Sequence, residues 1–354
     1  MFTSRACHRT VPRVLRIVIA VTLTGCAGTV PYTGQGPHPQ ISRGKPNVVI
    51  DTIGNVFALP AKIILLNVKM DNHMVSAATE DELVRFIEWP KTRSAGTHFS
   101  LNEYNPGLAF SRLVHNRKVA WPYRLLLGLP TTLITDVLLP GRLFAGLIGG
   151  DMYNPFTDTV QIYSDLPVVA LHETGHVNDF NRKKYKGTYA LLRIIPGVDL
   201  YQEYKATDAA LVYLTEVGER DQEIEGYKIL YPAYGTYIGN YMFIPGGPLI
   251  GAVLGHIVGR TKAATKTRYY QREDAKHAAE SQALDSSTSH AESAPAAARQ
   301  PTVTPLAEPQ SQTPALIATP PAATPQTTEP LVGSSGSATS TTTKRPATSG
   351  SQSQ

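Results

Sequence analysis

Between residues 47 and 270 the apolar positions fall mostly at helical intervals, and only one stretch alternates with the period of a strand. Asp51 is placed to cap a helix carrying Ile53, Phe57 and Ile64, although Gly54 and Pro60 interrupt its interior. Thr79-Glu80-Asp81-Glu82 has the spacing of a capping box and leads into Leu83, Phe86 and Ile87, a short amphipathic helix that Pro90 ends. Residues 93–118 show no clear period and receive no assignment. After the turn-rich segment 151–158, Thr159 to Tyr163 alternates apolar and polar, which predicts a strand. Leu166 to Leu171 follows, apolar nearly all round, and predicts a buried helix. Ser164-Asp165 offers that helix an N-cap, and Pro167 suits its first turn, where a missing N–H leaves no bond unmade. Pro196-Gly197 breaks the chain before Asp199 to Val217, a second long helix. The pattern predicts an α+β fold, mainly helical, with a small sheet.

Two apolar stretches fit this pattern less simply. Val119 to Gly150 is interrupted by Arg124, Asp136 and Arg142, with Pro130 and Pro140 as breakers. Its longest uncharged run, Leu125 to Thr135, is shorter than the roughly 20 residues that a membrane span needs. It reads as buried helices packed on the helix after residue 166, with contact to a membrane face as the alternative. Ile229 to Gly259 contains no Asp, Glu, Lys or Arg, and Gly247, Gly251, Gly255 and Gly259 form a ridge of small residues for close helix contact. Pro245 and Pro248 shorten the clean helix, so a tightly packed core helix is the reading; membrane insertion or self-association through the four glycines is the alternative. Arg260, Lys262, Lys266 and Arg268 follow, a cluster that suits a membrane surface.

The two ends of the chain do not read as globular. Residues 1–25 join Arg5, Arg9, Arg13 and Arg16 to the apolar run 17–21, as a secretory signal does. Leu23-Thr24-Gly25-Cys26 resembles a bacterial lipobox. That resemblance implies lipid attachment at Cys26 and, since Ala27 is not aspartate, an outer-membrane address facing the periplasm. Residues 26–46 are rich in Pro and Gly and read as a flexible tether, and 47–270 as the folded domain. Residues 271–354 read as a low-complexity tail of Ala, Pro, Ser, Thr and Gln, too poor in apolar surface to fold. Cleavage of the signal would lower the formal charge from +5 to about +1, which removes the case for a nucleic-acid partner. It would also leave no free thiol, because Cys7 and Cys26 are the only cysteines.

The candidate chemistry lies at the centre of the buried helix, in His172-Glu173-Thr174-Gly175-His176. Two histidines four apart stand on one helix face and can share a zinc ion, while Glu173 can take a proton from an attacking water. Burying such a set without a partner would cost several kcal/mol. Over residues 159–180, and more thinly to 217, the chain resembles the zincin metallopeptidases, and among them the gluzincins. The resemblance implies a peptide-hydrolysing zinc enzyme whose third ligand is a glutamate on a later helix; Glu203 matches it. It also implies that the strand before the site helix is the sheet edge along which a peptide substrate lies. Gluzincins often carry Glu-x-x-x-Asp at this place; here Thr207 holds that spacing and Asp208 follows it. Asp199 and Asp208 are the rival third ligands. A hydroxyl donor to the oxyanion is sought among the tyrosines of 185–241, with Tyr234 or Tyr237 as candidates and His256 as another. The expected function is a zinc-dependent endopeptidase acting on proteins or peptides of the cell envelope. The alternative is a non-catalytic outer-membrane lipoprotein that keeps the fold as a scaffold or assembly factor.

Overall fold

The computed structural model describes residues 38–147 and 149–292. The signal segment 1–25, Cys26, residues 27–37 of the tether and everything after 292 lie outside them. In chain order the first elements are strand β1 (Ile41–Arg43) and helices α1 (Val48–Phe57), α2 (Leu59–Leu65) and α3 (Ala77–Glu88). Strand β2 (His98–Leu101) and helix α4 (Pro106–His115) follow. A continuous helical run over 121–138 then contains two π-helical stretches, Arg124–Gly128 and Leu133–Leu138. Helix α5 (Gly141–Phe144) leads to strands β3 (Met152–Asn154) and β4 (Thr159–Ile162). The chain then continues as α6 (Pro167–Asn181), α7 (Lys186–Leu192), α8 (Val198–Val217), α9 (Arg220–Asn240) and α10 (Gly247–Glu292).

The fold is mainly helical with one mixed four-stranded sheet of order β1-β2-β4-β3. β1, β2 and β4 run parallel, and β3 is antiparallel to β4 with Tyr153 opposite Val160. This corrects one expectation: the strand before the site helix is internal to the sheet. The edge on that side is the short strand β3, which the turn residues of 151–158 had hidden.

The layers explain why α6 reads as apolar on nearly every side. Ala170 and Val177 pack on the sheet side with Phe99, Leu101, Val160 and Ile162. Leu171 and Val168 pack on the other side with Tyr213, Leu214, Ile229 and Leu230. Gly175 is the contact point between α6 and α8, since a Cβ there would lie 2.6 Å from the Ala206 carbonyl oxygen.

Several boundaries and contacts differ from the sequence expectation for definable reasons. Residues 41–43 belong to the sheet and not to the tether, because their backbone completes the β2 ladder and Ile41 enters the core. Asn47 caps α1, its Oδ1 accepting from the Ile50 N–H at 3.1 Å, while Asp51 pairs with Arg142 at 2.8 Å. Ser76, three residues before the expected cap, starts α3, and Glu82 is instead buried, accepting from the Tyr213 hydroxyl at 2.8 Å. α4 fills part of the unassigned 93–118, started by the Asn105 side chain with Pro106 in the first turn.

The 121–138 run is not a buried layer on α6; it packs mainly on α4 and leaves Leu125, Leu126 and Leu138 exposed. Its first π stretch directly precedes Pro130, whose ring would meet the carbonyl four residues back in a regular helix; the wider turn relieves that clash. α10 continues to Glu292, past the expected start of the tail, held by Lys266 to Glu223 at 2.8 Å and Arg220 to Asp274 at 2.7 Å. The glycine ridge of α10 faces α9 of the same chain: a Cβ at Gly251 or Gly247 would lie 2.0 or 2.3 Å from the carbonyl oxygens of Gly235 and Gly239. Gly247, Gly251, Gly255 and Gly259 all face α9 backbone, so the ridge is used within the chain, as the packed-helix reading expects.

Candidate metal centre

Pro167 stands in the first turn of α6 as expected, but no side chain caps that helix. Ser164 and Asp165 serve other elements. The Ser164 hydroxyl donates to Asp151, and Asp165 accepts from the Ser76 N–H at 2.9 Å and the Thr79 hydroxyl at 2.7 Å. These bonds fix the β4–α6 turn, and so the depth at which the middle of α6 enters the fold.

His172 and His176 lie one turn apart, their rings 4.8 Å apart and nearly perpendicular. With Glu173 they offer three ligand atoms all within 4.8 Å of one another, a group that could hold a metal ion. α8 then brings a fourth side chain to the same place. Glu203 is buried, and its Oε2 lies 3.1 Å from His172 Nε2 and 3.4 Å from His176 Nε2. Metal–ligand distances of about 2.0–2.1 Å at tetrahedral angles separate neighbouring ligand atoms by roughly 3.3 Å, close to both of these separations. The two possible third donors differ in placement: Glu203 faces both imidazole Nε2 atoms, whereas Glu173 projects from the same helix as the histidines.

Residues around the trio orient it. The Thr207 hydroxyl lies 3.3 Å from His172 Nδ1, which leaves Nε2 for the side facing Glu203. The position four residues after Glu203 thus carries a hydroxyl in contact with His172. Arg193 donates from Nη2 to Glu203 Oε1 at 2.5 Å and from Nη1 to Gln202 Oε1 at 3.0 Å, fixing the carboxylate from its far side. Sequence reading missed Arg193, which sits in an unremarkable Leu-Leu-Arg-Ile-Ile stretch with no spacing signal of its own.

The electrostatics divide the two glutamates. Burial pushes the Glu173 carboxyl well above the usual range, helped by the charges of Glu203 and Asp151. Burial would raise Glu203 as well, but the facing imidazoles of His176 and His172 hold it well below the usual range. Burial lowers His176, towards the neutral form that binds metals. The set therefore contains one carboxylate held in its ionised form, Glu203, and one carboxyl with raised proton affinity, Glu173.

A cavity of about 340 Å³ opens beside His176 and Glu203, lined also by β3, Arg193, Tyr237, Leu127 and Thr131. Tyr237 reaches this cavity and Tyr234 does not line it, so Tyr237 takes the place expected of Tyr234. Burial, then the charge of Glu203, pushes the Tyr237 hydroxyl up, so it stays a proton donor. His256 is elsewhere, its Nε2 2.9 Å from the Ile64 carbonyl. Asp199 accepts from the Tyr241 hydroxyl at the start of α8, and Asp208 pairs with Lys205 at 3.7 Å on the outer face. Neither rival carboxylate joins the histidines. No family model, no curated protein and no solved structure matches the chain.

Proposed function

We propose that this chain is a zinc-dependent endopeptidase of the bacterial cell envelope. The observation that carries the reading is the convergence of Glu203, from a separate helix, on His172 Nε2 and His176 Nε2 at 3.1 and 3.4 Å. These three residues would hold the ion. Zinc bound by them supplies Lewis acidity, lowering the pKa of water and polarising a peptide carbonyl.

The chain's own residues do the rest. Glu173 is the general base: it takes the proton from the attacking water at its carboxylate, and burial raises its affinity for that proton. Tyr237 donates its hydroxyl proton in a hydrogen bond to the oxygen that becomes negative as the carbonyl is attacked. Thr207 and Arg193 position His172 and Glu203. β3 is the strand along which an extended peptide pairs, because it is the sheet edge that lines the cavity. The envelope address rests on the lipobox resemblance at Cys26. The scaffold alternative predicts the same metal without turnover.

Three variants measured side by side test the reading. Glu173→Gln keeps about one zinc per chain and its fold but loses at least a hundredfold in peptidase rate on envelope proteins, since only the base is removed. Glu203→Ala loses both zinc and rate, and Asp199→Ala retains both. Unchanged turnover in Glu173→Gln would remove the catalytic assignment.

A further inference from the structure

Three stretches of the surface are apolar and carry few charged residues. Val49, Val56 and Ile63 are exposed on α1 and α2, Leu125, Leu126 and Leu138 on the 121–138 run, and Leu249, Val253 and Ile257 on α10. The few charges within these stretches all have partners in the fold. Between 46 and 68 only Asp51 and Lys62 are charged; Asp51 pairs with Arg142 and Lys62 donates to Asn55. Between 119 and 139 only Arg124 and Asp136 are charged; Arg124 donates to the Leu113 carbonyl at 2.7 Å and Asp136 accepts from Gln161 at 2.7 Å. Between 229 and 259 there are none.

The three stretches join. The 121–138 run leads into α5, whose Phe144 stacks on Phe57 of α1 at 5.6 Å. His256 of α10 meets the Ile64 carbonyl of α2 at 2.9 Å, beside Ile63 and Ile257. Exposed apolar side chains on elements that touch one another thus form an apolar belt, unlike the singly scattered exposed side chains of ordinary surfaces. Arg260, Lys262 and Arg268 follow along α10 directly after it, all exposed. The glycine ridge, the obvious contact for a second copy, is already occupied by α9.

We propose that this belt docks on an anionic phospholipid bilayer, lying within the interface of one leaflet. The apolar side chains enter the acyl boundary while the basic residues that follow meet lipid phosphates. No single helix among the described residues is long and apolar enough to cross a membrane; only α1 and α2 together reach that length and apolarity, and they are bent by 49°. That shape suits lying in the interface. Leu127 and Thr131 belong to the same 121–138 run and line the cavity, so docking sets the metal centre beside the lipid surface. The inference stands on exposure and charge placement, independently of the metal reading and of Cys26.

The test uses the full chain with Cys7→Ser and Cys26→Ser, so that no N-terminal lipid holds it and an introduced thiol is the only one. A polarity-sensitive fluorophore is placed at Ile63→Cys, Leu126→Cys or Val253→Cys, and at Lys91→Cys outside the belt. With vesicles of phosphatidylethanolamine and phosphatidylglycerol, emission should shift to the blue and be quenched by acyl-brominated lipid at the three belt positions, and not at Lys91. Vesicle-bound protein with all four probes in water would assign attachment to the N-terminus and overturn the proposal. A blue shift that grows with protein concentration without vesicles would assign the belt to a second copy and overturn it too. Ile63→Glu combined with Val253→Glu changes only exposed positions, so helix content and peptidase rate on soluble substrate should hold. Vesicle partitioning should fall at least tenfold in that variant; unchanged partitioning also overturns the docking surface.

Discussion

Thr207 is the residue where the local chemistry departs most from what its spacing leads one to expect. A hydroxyl at this position can orient His172 through Nδ1 without adding negative charge to a site that already holds Glu173 and Glu203. Thr207→Val, nearly equal in shape, removes that partner and leaves His172 free to rotate. Zinc affinity should fall about 10- to 100-fold, the usual cost of losing an orienting group, while Thr207→Ser stays near the parent. A competition titration with a chromophoric chelator reads this directly; equal affinity in Thr207→Val and parent removes the orienting role. The nearness of His172 and His176 was legible in the sequence from their helical spacing, while Glu173 and Glu203 were singled out through the motif and the gluzincin resemblance. Arg193 was not singled out by any pattern, and Tyr237 was one of two tyrosines that no pattern separated. Each reaches the site from an element whose path depends on tertiary packing, and a single Arg or Tyr carries no period.

At the level of elements, the histidines and Glu203 meet because α6 and α8 approach closely at Gly175 and Ala206. Ala206 lies between Glu203 and Thr207, so this contact sets the depth at which both side chains arrive. A methyl group at Gly175 would stand 2.6 Å from the Ala206 carbonyl oxygen and 2.9 Å from its Cα, both backbone atoms that cannot rotate away. α8 must then move outward by several tenths of an ångström. Gly175→Ala should therefore weaken zinc binding at least tenfold and lower stability by roughly 1–3 kcal/mol, with helix content unchanged. Circular dichroism and zinc titration on one preparation separate the two effects; parent-like affinity would show that α8 is not positioned by this contact. The buried character of α6 was readable because both of its faces meet core. The edge strand was not, since β3 is three residues long and its Met152-Tyr153-Asn154 sequence sits among turn residues. The 121–138 run misled for the opposite reason: apolar composition says that a segment avoids water, and not whether protein or another apolar phase covers it.

For the molecule as a whole, the candidate ligands tie α6, between the sheet and the helical layer, to α8 across the Pro196-Gly197 break. The unfolded chain does not hold these groups together, so an ion that binds them stabilises the fold by mass action. With free zinc at a thousand times its dissociation constant the gain is about 4 kcal/mol. At roughly 2–4 °C per kcal/mol for a domain of this size, the midpoint of thermal unfolding should rise by about 8–16 °C. The metal-free protein should still unfold cooperatively, because the packed layers around Leu171, Tyr213 and Leu214 do not depend on the ion. His172→Ala combined with His176→Ala should abolish the zinc-dependent rise. The same measurement separates the two donor sets that share these histidines. If Glu203 is the third ligand, Glu173→Gln keeps the full rise and Glu203→Ala loses most of it. The reverse pattern would assign the ion to His172, Glu173 and His176 and leave Glu203 as the partner of Arg193 alone. Glu173 would then be bound to the metal and unable to serve as the base.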